Sequence, residues 1–172
     1  MIATTLRQRR TPIKGADNTN NNTDQPPKRS KCREIPPERV FSVLSSSSMD
    51  LFCWLFTPAS QVLDPDETTM WNSRSSAPAW IRLDLGMSAP CVCKVELLPS
   101  MEPREGLVEH RIKMGMHLSS LESVVTISGE CKDRRWIQIS LPQSRRTRFL
   151  EIFTVHSPSW VAWVRIRVWV EF

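Results

Sequence analysis

The sequence predicts an all-β protein, a jelly-roll β-sandwich of about eight antiparallel strands behind a disordered N-terminal tail. Three observations lead there. From residue 39 onward, short runs alternate apolar and polar residues with the period of two that half-buried strands require. Brief polar segments separate the runs, and the 13 prolines concentrate in the tail and the loops. No stretch carries the 3.6-residue apolar repeat of a long helix. At 172 residues the chain is long enough for one domain with a real core.

Residues 1–38 read as the tail. Asn18 to Pro27 has no apolar periodicity and cannot bury enough surface to offset the entropy of ordering it. Lys28 to Arg33 is a short basic cluster, of the kind used for nuclear import or an anionic surface. The domain spans 39–172. Val40–Leu44 is its first strand. Ile81, Leu83 and Leu85 point inward from the next, with Trp80, Arg82 and Asp84 outward. Cys91, Cys93, Val95 and Leu97 share one face of the third. Arg111–Met116, Val124–Ile127 and Trp136–Leu141 follow, the last stopped by Pro142. Arg148–Val155 and Val161–Phe172 complete the set. The expected core holds Ile81, Leu83, Leu85, Ile112, Met114, Ile137, Ile139, Ile166 and Val168.

Charge excludes one class of partner. The net charge of +5 divides into eight Lys/Arg against four Asp/Glu in residues 1–38, and fifteen against fourteen in the rest. A nucleic-acid module would carry its charge on the folded surface, so no nucleic acid is expected. The N-terminus runs into charge without an apolar core of a signal peptide, and no apolar run approaches the roughly 20 residues that span a bilayer. The five cysteines are odd in number and lack framework spacing, and the Cys91/Cys93 pair has poor disulfide geometry. They read as reduced, buried thiols, and the expected location is cytoplasmic, with the nucleus open through the basic cluster. No nucleophile elbow, HExxH or phosphate loop surrounds His110, His117 or His156, so a non-enzymatic protein is expected.

Two motifs carry a resemblance. Asp64-Pro65-Asp66-Glu67-Thr68-Thr69-Met70-Trp71-Asn72-Ser73 leads into Pro78-Ala79-Trp80-Ile81-Arg82-Leu83-Asp84-Leu85-Gly86. This order resembles the discoidin (coagulation factor V/VIII C-type) domains of the galactose-binding-like superfamily. Val108–Gly115, the spaced leucines Leu118 and Leu121, and Arg135–Leu141 resemble the Doc branch. Arg148–Ile152 with Val164–Val168 resembles the closing strands of both. The resemblance covers roughly residues 40–172 and implies a β-sandwich that binds with its loops.

Several residues are singled out for function. Hard cations want oxygens converging from one loop, so Asp64, Asp66 and Thr69 are candidate calcium ligands; the alternative is that they cap their own turn. The resemblance adds Glu171, because related carbohydrate-binding domains complete a structural calcium site from the last strand. Leu51 to Phe56 places six apolar residues in a loop, with Trp54 and Phe56 as candidate contacts alongside Arg74 and Trp80. On the last strand Trp163, Arg165, Arg167 and Trp169 alternate with Val164, Ile166 and Val168, forming an outward ladder of interface-forming residue types. The resulting expectation is an intracellular module binding a protein or peptide, as Doc domains do for ubiquitin-ligase assemblies. The alternatives are a discoidin-type module for glycan or lipid head groups, or a structural subunit of a complex.

Overall fold

The computed structural model describes residues 31–46, 58–100, 106–130 and 134–171, and these form a sandwich of two five-stranded antiparallel sheets. The strands are β1 (Cys32–Glu34), β2 (Ser42–Ser45), β3 (Trp71–Ser76), β4 (Ala79–Asp84), β5 (Cys91–Pro99), β6 (Leu107–Gly115), β7 (Glu122–Glu130), β8 (Ile137–Arg146), β9 (Phe149–His156) and β10 (Trp160–Glu171). One sheet runs β1-β10-β5-β8, and β3 also pairs with β10; the other runs β2-β4-β9-β6-β7. Trp54 and Phe56 lie outside the described residues, as does most of the predicted tail.

The core forms where the alternation said it would. Ile81, Leu83, Ile112 and Met114 are fully buried, and Leu85, Ile139, Ile166 and Val168 are nearly so. They meet Trp71, Leu150 and Ile152 in a single apolar cluster between the sheets. Ile137 is only half-buried, because it opens β8, an edge strand with a neighbour on one side alone.

Three departures follow from bulges and edges. β8 runs straight through Pro142. Between Ser140↔Lys94 and Arg145↔Val92 its register slips against β5, so the proline sits in a bulged stretch of an edge strand, where its missing N–H breaks no ladder bond. The same irregularity turns Cys93 out of phase. Val92 joins Val95 and Leu97 in the core, while Cys91 and Cys93 are half-buried on the other side. The Cys93 thiol donates to the Trp169 carbonyl at 3.3 Å and is pushed up to about 12 by burial, then by the neighbouring Cys32. Finally, β1 and the first two residues of a 3₁₀ turn at Pro37–Arg39 lie inside the stretch 1–38 assigned to the tail. β1 pairs Cys32 with Glu171 and Glu34 with Trp169, so the folded unit reaches back to residue 32.

Candidate functional site

β3 has no alternating apolar pattern, and Asn72-Ser73-Arg74-Ser75-Ser76 reads as a loop. It becomes a strand because buried Trp71 anchors it beside Trp163 of β10. Trp71↔Trp163 and Asn72↔Ala162 pair regularly, but the next pair is Ser76↔Trp160. Four steps along β3 thus match two along β10, and the excess residues bulge outward. Two buried polar side chains hold the bulge. The Ser73 hydroxyl accepts the Val161 N–H at 3.0 Å, filling the gap in the ladder, and donates to the Ser75 carbonyl at 2.7 Å. Asn72 Oδ1 accepts the Arg74 N–H at 2.7 Å. Arg74 is exposed at φ 55°, the left-handed region that costs a residue with a Cβ about 1–2 kcal/mol. A strained, exposed arginine braced by a buried asparagine makes this a candidate functional position.

Across the bulge, half-buried Trp160 alternates with core Val161 and so faces away from the core. The rim thus offers an indole, a guanidinium and short polar side chains. A guanidinium presents five fixed donors to oxygen ligands, and an indole face covers an apolar surface. A hydroxylated ring with an apolar face fits such a set. The sequence reading named Arg74 but neither Asn72 nor Trp160; the only signal for either was their nearness to the Trp71 turn and to the start of the last strand.

The Asp64–Thr69 turn satisfies itself. Asp64 Oδ1 accepts the Asp66 N–H at 2.8 Å, Asp66 Oδ1 accepts the Thr68 N–H at 2.9 Å and its hydroxyl at 2.8 Å, and the Thr69 hydroxyl donates to the Asp66 carbonyl at 2.9 Å. The Thr68 backbone bond, then its hydroxyl, hold the Asp66 carboxyl below its usual range. A cation reaches the turn from β10: Arg165 Nη1 lies 3.5 Å from the Pro65 carbonyl. Glu171 is six residues further on, about 20 Å at 3.3 Å per residue. There its carboxylate accepts from the Ser144 hydroxyl and lies 4.0 Å from Cys91 Sγ. Among the described residues no three His, Cys, Asp or Glu side chains converge on a metal-sized point. The four candidate calcium ligands therefore do not form one site. A guanidinium at the turn opposes a divalent ion.

The ladder on β10 is also rearranged. A register shift between Trp163↔Pro99 and Arg165↔Leu98 puts Trp163 into the core, 1% exposed, with its ring against that of His110 at 4.9 Å. His110 is itself buried, bonded through Nδ1 to the Thr154 hydroxyl at 3.0 Å, and its pKa is pushed down to about 4 by burial. Arg165, Arg167 and Trp169 do face outward, but into a polar network. Trp169 Nε1 donates to Glu96 at 3.0 Å and Lys94 donates to the other oxygen at 2.8 Å, with its ammonium over the Trp169 ring. Arg167 lies over Trp136 and within 4 Å of both Glu34 and Glu96; Arg165 also meets Glu34. Trp80 lies on the outer face of the other sheet, its ring covered by the Arg82 guanidinium, which is bonded to buried Glu151. The structure therefore does not bring Trp80 into one surface with the β10 residues.

The sequence matches no protein-family model and no curated protein. Solved structures do match. A family 32 carbohydrate-binding module of NanJ from Clostridium perfringens, in complex with galactose, is 14% identical, with TM-score 0.66 over 81% of this chain and 99% of that one. The family 32 module of AlyQ, in complex with 4,5-unsaturated mannuronic acid, is 18% identical, with TM-score 0.61 over 75% and 94%. Chitosan-binding module 1 from a Paenibacillus chitosanase/glucanase is 21% identical, with TM-score 0.58 over 74% and 92%. The chain has the galactose-binding-like, discoidin-type jelly-roll fold; the Doc-like features gain no support. The expectation of a protein or peptide partner, with its ubiquitin-ligase setting, is overturned. The structural neighbours are named for sugars, and the ladder offered as a partner surface has Trp163 in the core and its cations on carboxylates.

Proposed function

We propose that this chain is a non-catalytic sugar-binding module that holds a glycan at the rim built by the bulge of β3 and the first residues of β10. The observation that carries the reading is Arg74, exposed on a left-handed backbone that buried Asn72 braces, across the bulge from Trp160. A strained polar rim beside a half-buried indole suits a hydroxylated ligand better than an apolar one. The fold shared with galactose-, mannuronate- and chitosan-binding modules supports the same reading. The test is a screen of the chain on an array of neutral and acidic glycans, followed by calorimetric titration of each hit. Arg74→Ala and Trp160→Ala are each expected to weaken binding at least tenfold, about 1.4 kcal/mol, with the melting temperature nearly unchanged for Arg74→Ala. An array without hits, or hits that both variants bind as well as the parent, overturns the proposal.

A further inference from the structure

Gly106 stands one residue before β6, and its lack of a side chain serves space rather than backbone freedom. Among the described residues the only glycine with a positive φ is Gly86, at 82°. A Cβ on Gly106 would stand 2.8 Å from Pro158 Cβ and 2.9 Å from Pro158 Cγ. Non-bonded carbon atoms settle about 3.5–4.0 Å apart, so an alanine methyl here would overlap the proline ring. That ring is closed onto its own backbone and has no chain to swing aside. The backbone that carries it has to move instead.

Pro158 lies in the crossing from one sheet to the other. β9 ends at His156, paired with Glu109 of β6, and β10 begins at Trp160, paired with Ser76 of β3. Residues 157–159 span the two rungs. Within that span the Ser159 N–H donates to the Ser157 hydroxyl at 3.5 Å, and the Ser159 hydroxyl donates to the Trp160 carbonyl at 3.3 Å. A displaced Pro158 is therefore absorbed within a short, fixed crossing, and the residue that closes the crossing is Trp160. The close approach at Gly106 thus bears on the indole of the rim.

We propose that Gly106 is a positioning residue for the rim: by giving up its side chain it seats Pro158 against the start of β6, and that seat sets where Trp160 stands. The inference rests on the rim as the sugar site, but its first test needs no sugar. The indole N–H resonance of Trp160 is followed in the nitrogen-15-labelled full chain and assigned by its loss in Trp160→Phe. Gly106→Ala is expected to shift it. Gly129→Ala is expected to leave it in place, since Gly129 pairs with Val108 two residues away and a Cβ there meets nothing within 4 Å. Pro158→Gly removes both atoms that the methyl would meet, so in that background Gly106→Ala is expected to add no further shift.

Affinity is read by calorimetry with galactose as the probe. Gly106→Ala is expected to bind about fivefold or more weakly than the parent, and the double variant no more weakly than Pro158→Gly alone. An indole resonance indifferent to Gly106→Ala, a shift that persists undiminished in the Pro158→Gly background, or unchanged galactose affinity overturns the proposal and leaves the rim standing as a sugar site. A parent that binds no galactose while the indole responds as expected supports the seat and counts against the rim as a site for this sugar.

Discussion

Tryptophan and arginine gather in two places, the outer face of β10 and the rim where β3 bulges away from that strand. On the β10 face the charges lie against one another. Glu96, 5% exposed, takes the Trp169 indole and the Lys94 ammonium, and Glu34 stands within 4 Å of two guanidinium groups. At the rim, buried Asn72 and Ser73 bond to backbone, and they push Arg74 outward at a cost in local backbone energy. The lesson is that residue type alone does not mark a binding surface. What separates the two regions is whether the side chains stand in a network of ion pairs across strands, and whether the backbone has been strained to present them.

That contrast can be broken at several points. The largest effect belongs to the residue that changed sides. Trp163→Ala should destabilise the fold by about 3–5 kcal/mol, as expected for a large core residue, measured by denaturant unfolding; a cost under about 1 kcal/mol would return Trp163 to the surface.

Next comes acid sensitivity at its neighbour. The His110 pKa in the fold, about 4, lies below the ordinary 6.5, so the unfolded chain takes up a proton first. The stability tied to the neutral imidazole is therefore full above about pH 6.5 and lost as the pH falls toward 4. That gap corresponds to about 3 kcal/mol. Unfolding curves between pH 7 and 4 should show the decline, and His110→Asn should remove most of it; a parent and variant with the same pH slope would contradict the assignment.

On the β10 face, Glu96→Ala strips the acceptor from Lys94 and Trp169 and should cost roughly 1–3 kcal/mol while leaving sugar affinity untouched. A loss of affinity with no loss of stability would make this face, not the rim, the ligand surface.

The smallest effect tests the strain itself. Glycine tolerates φ 55°, so Arg74→Gly should be about 0.5–1 kcal/mol more stable than Arg74→Ala, with sugar binding lost in both. Equal stabilities would mean that the bulge carries no strain.

The alternation of Ile81, Leu83 and Leu85, and of Ile112 and Met114, was enough to read the sandwich and its core, because burial on one face of a strand imposes a period of two. Bulges escaped. A bulge belongs to a pair of strands, and its position depends on the partner's register, so neither the inward turn of Trp163 nor the displacement of Cys93 is written in its own strand. The resemblance located Asp64–Trp71, and the capping of that turn by its own Asp and Thr side chains was already the alternative to a cation site, but the presence of Arg165 beside it becomes visible only when β10 is laid alongside. Arg74 could be named from its place after the turn. Asn72 and Trp160 could not, since their roles arise from a ladder that skips two residues.

The most direct measurement of the central claim sets Arg74→Ala beside Arg167→Ala, each assayed for glycan affinity by calorimetry and for melting temperature. The rim assignment predicts that Arg74→Ala loses at least tenfold in affinity while melting with the parent, and that Arg167→Ala melts lower while binding with the parent's affinity. The reverse pattern, with affinity lost at Arg167 and kept at Arg74, would contradict it.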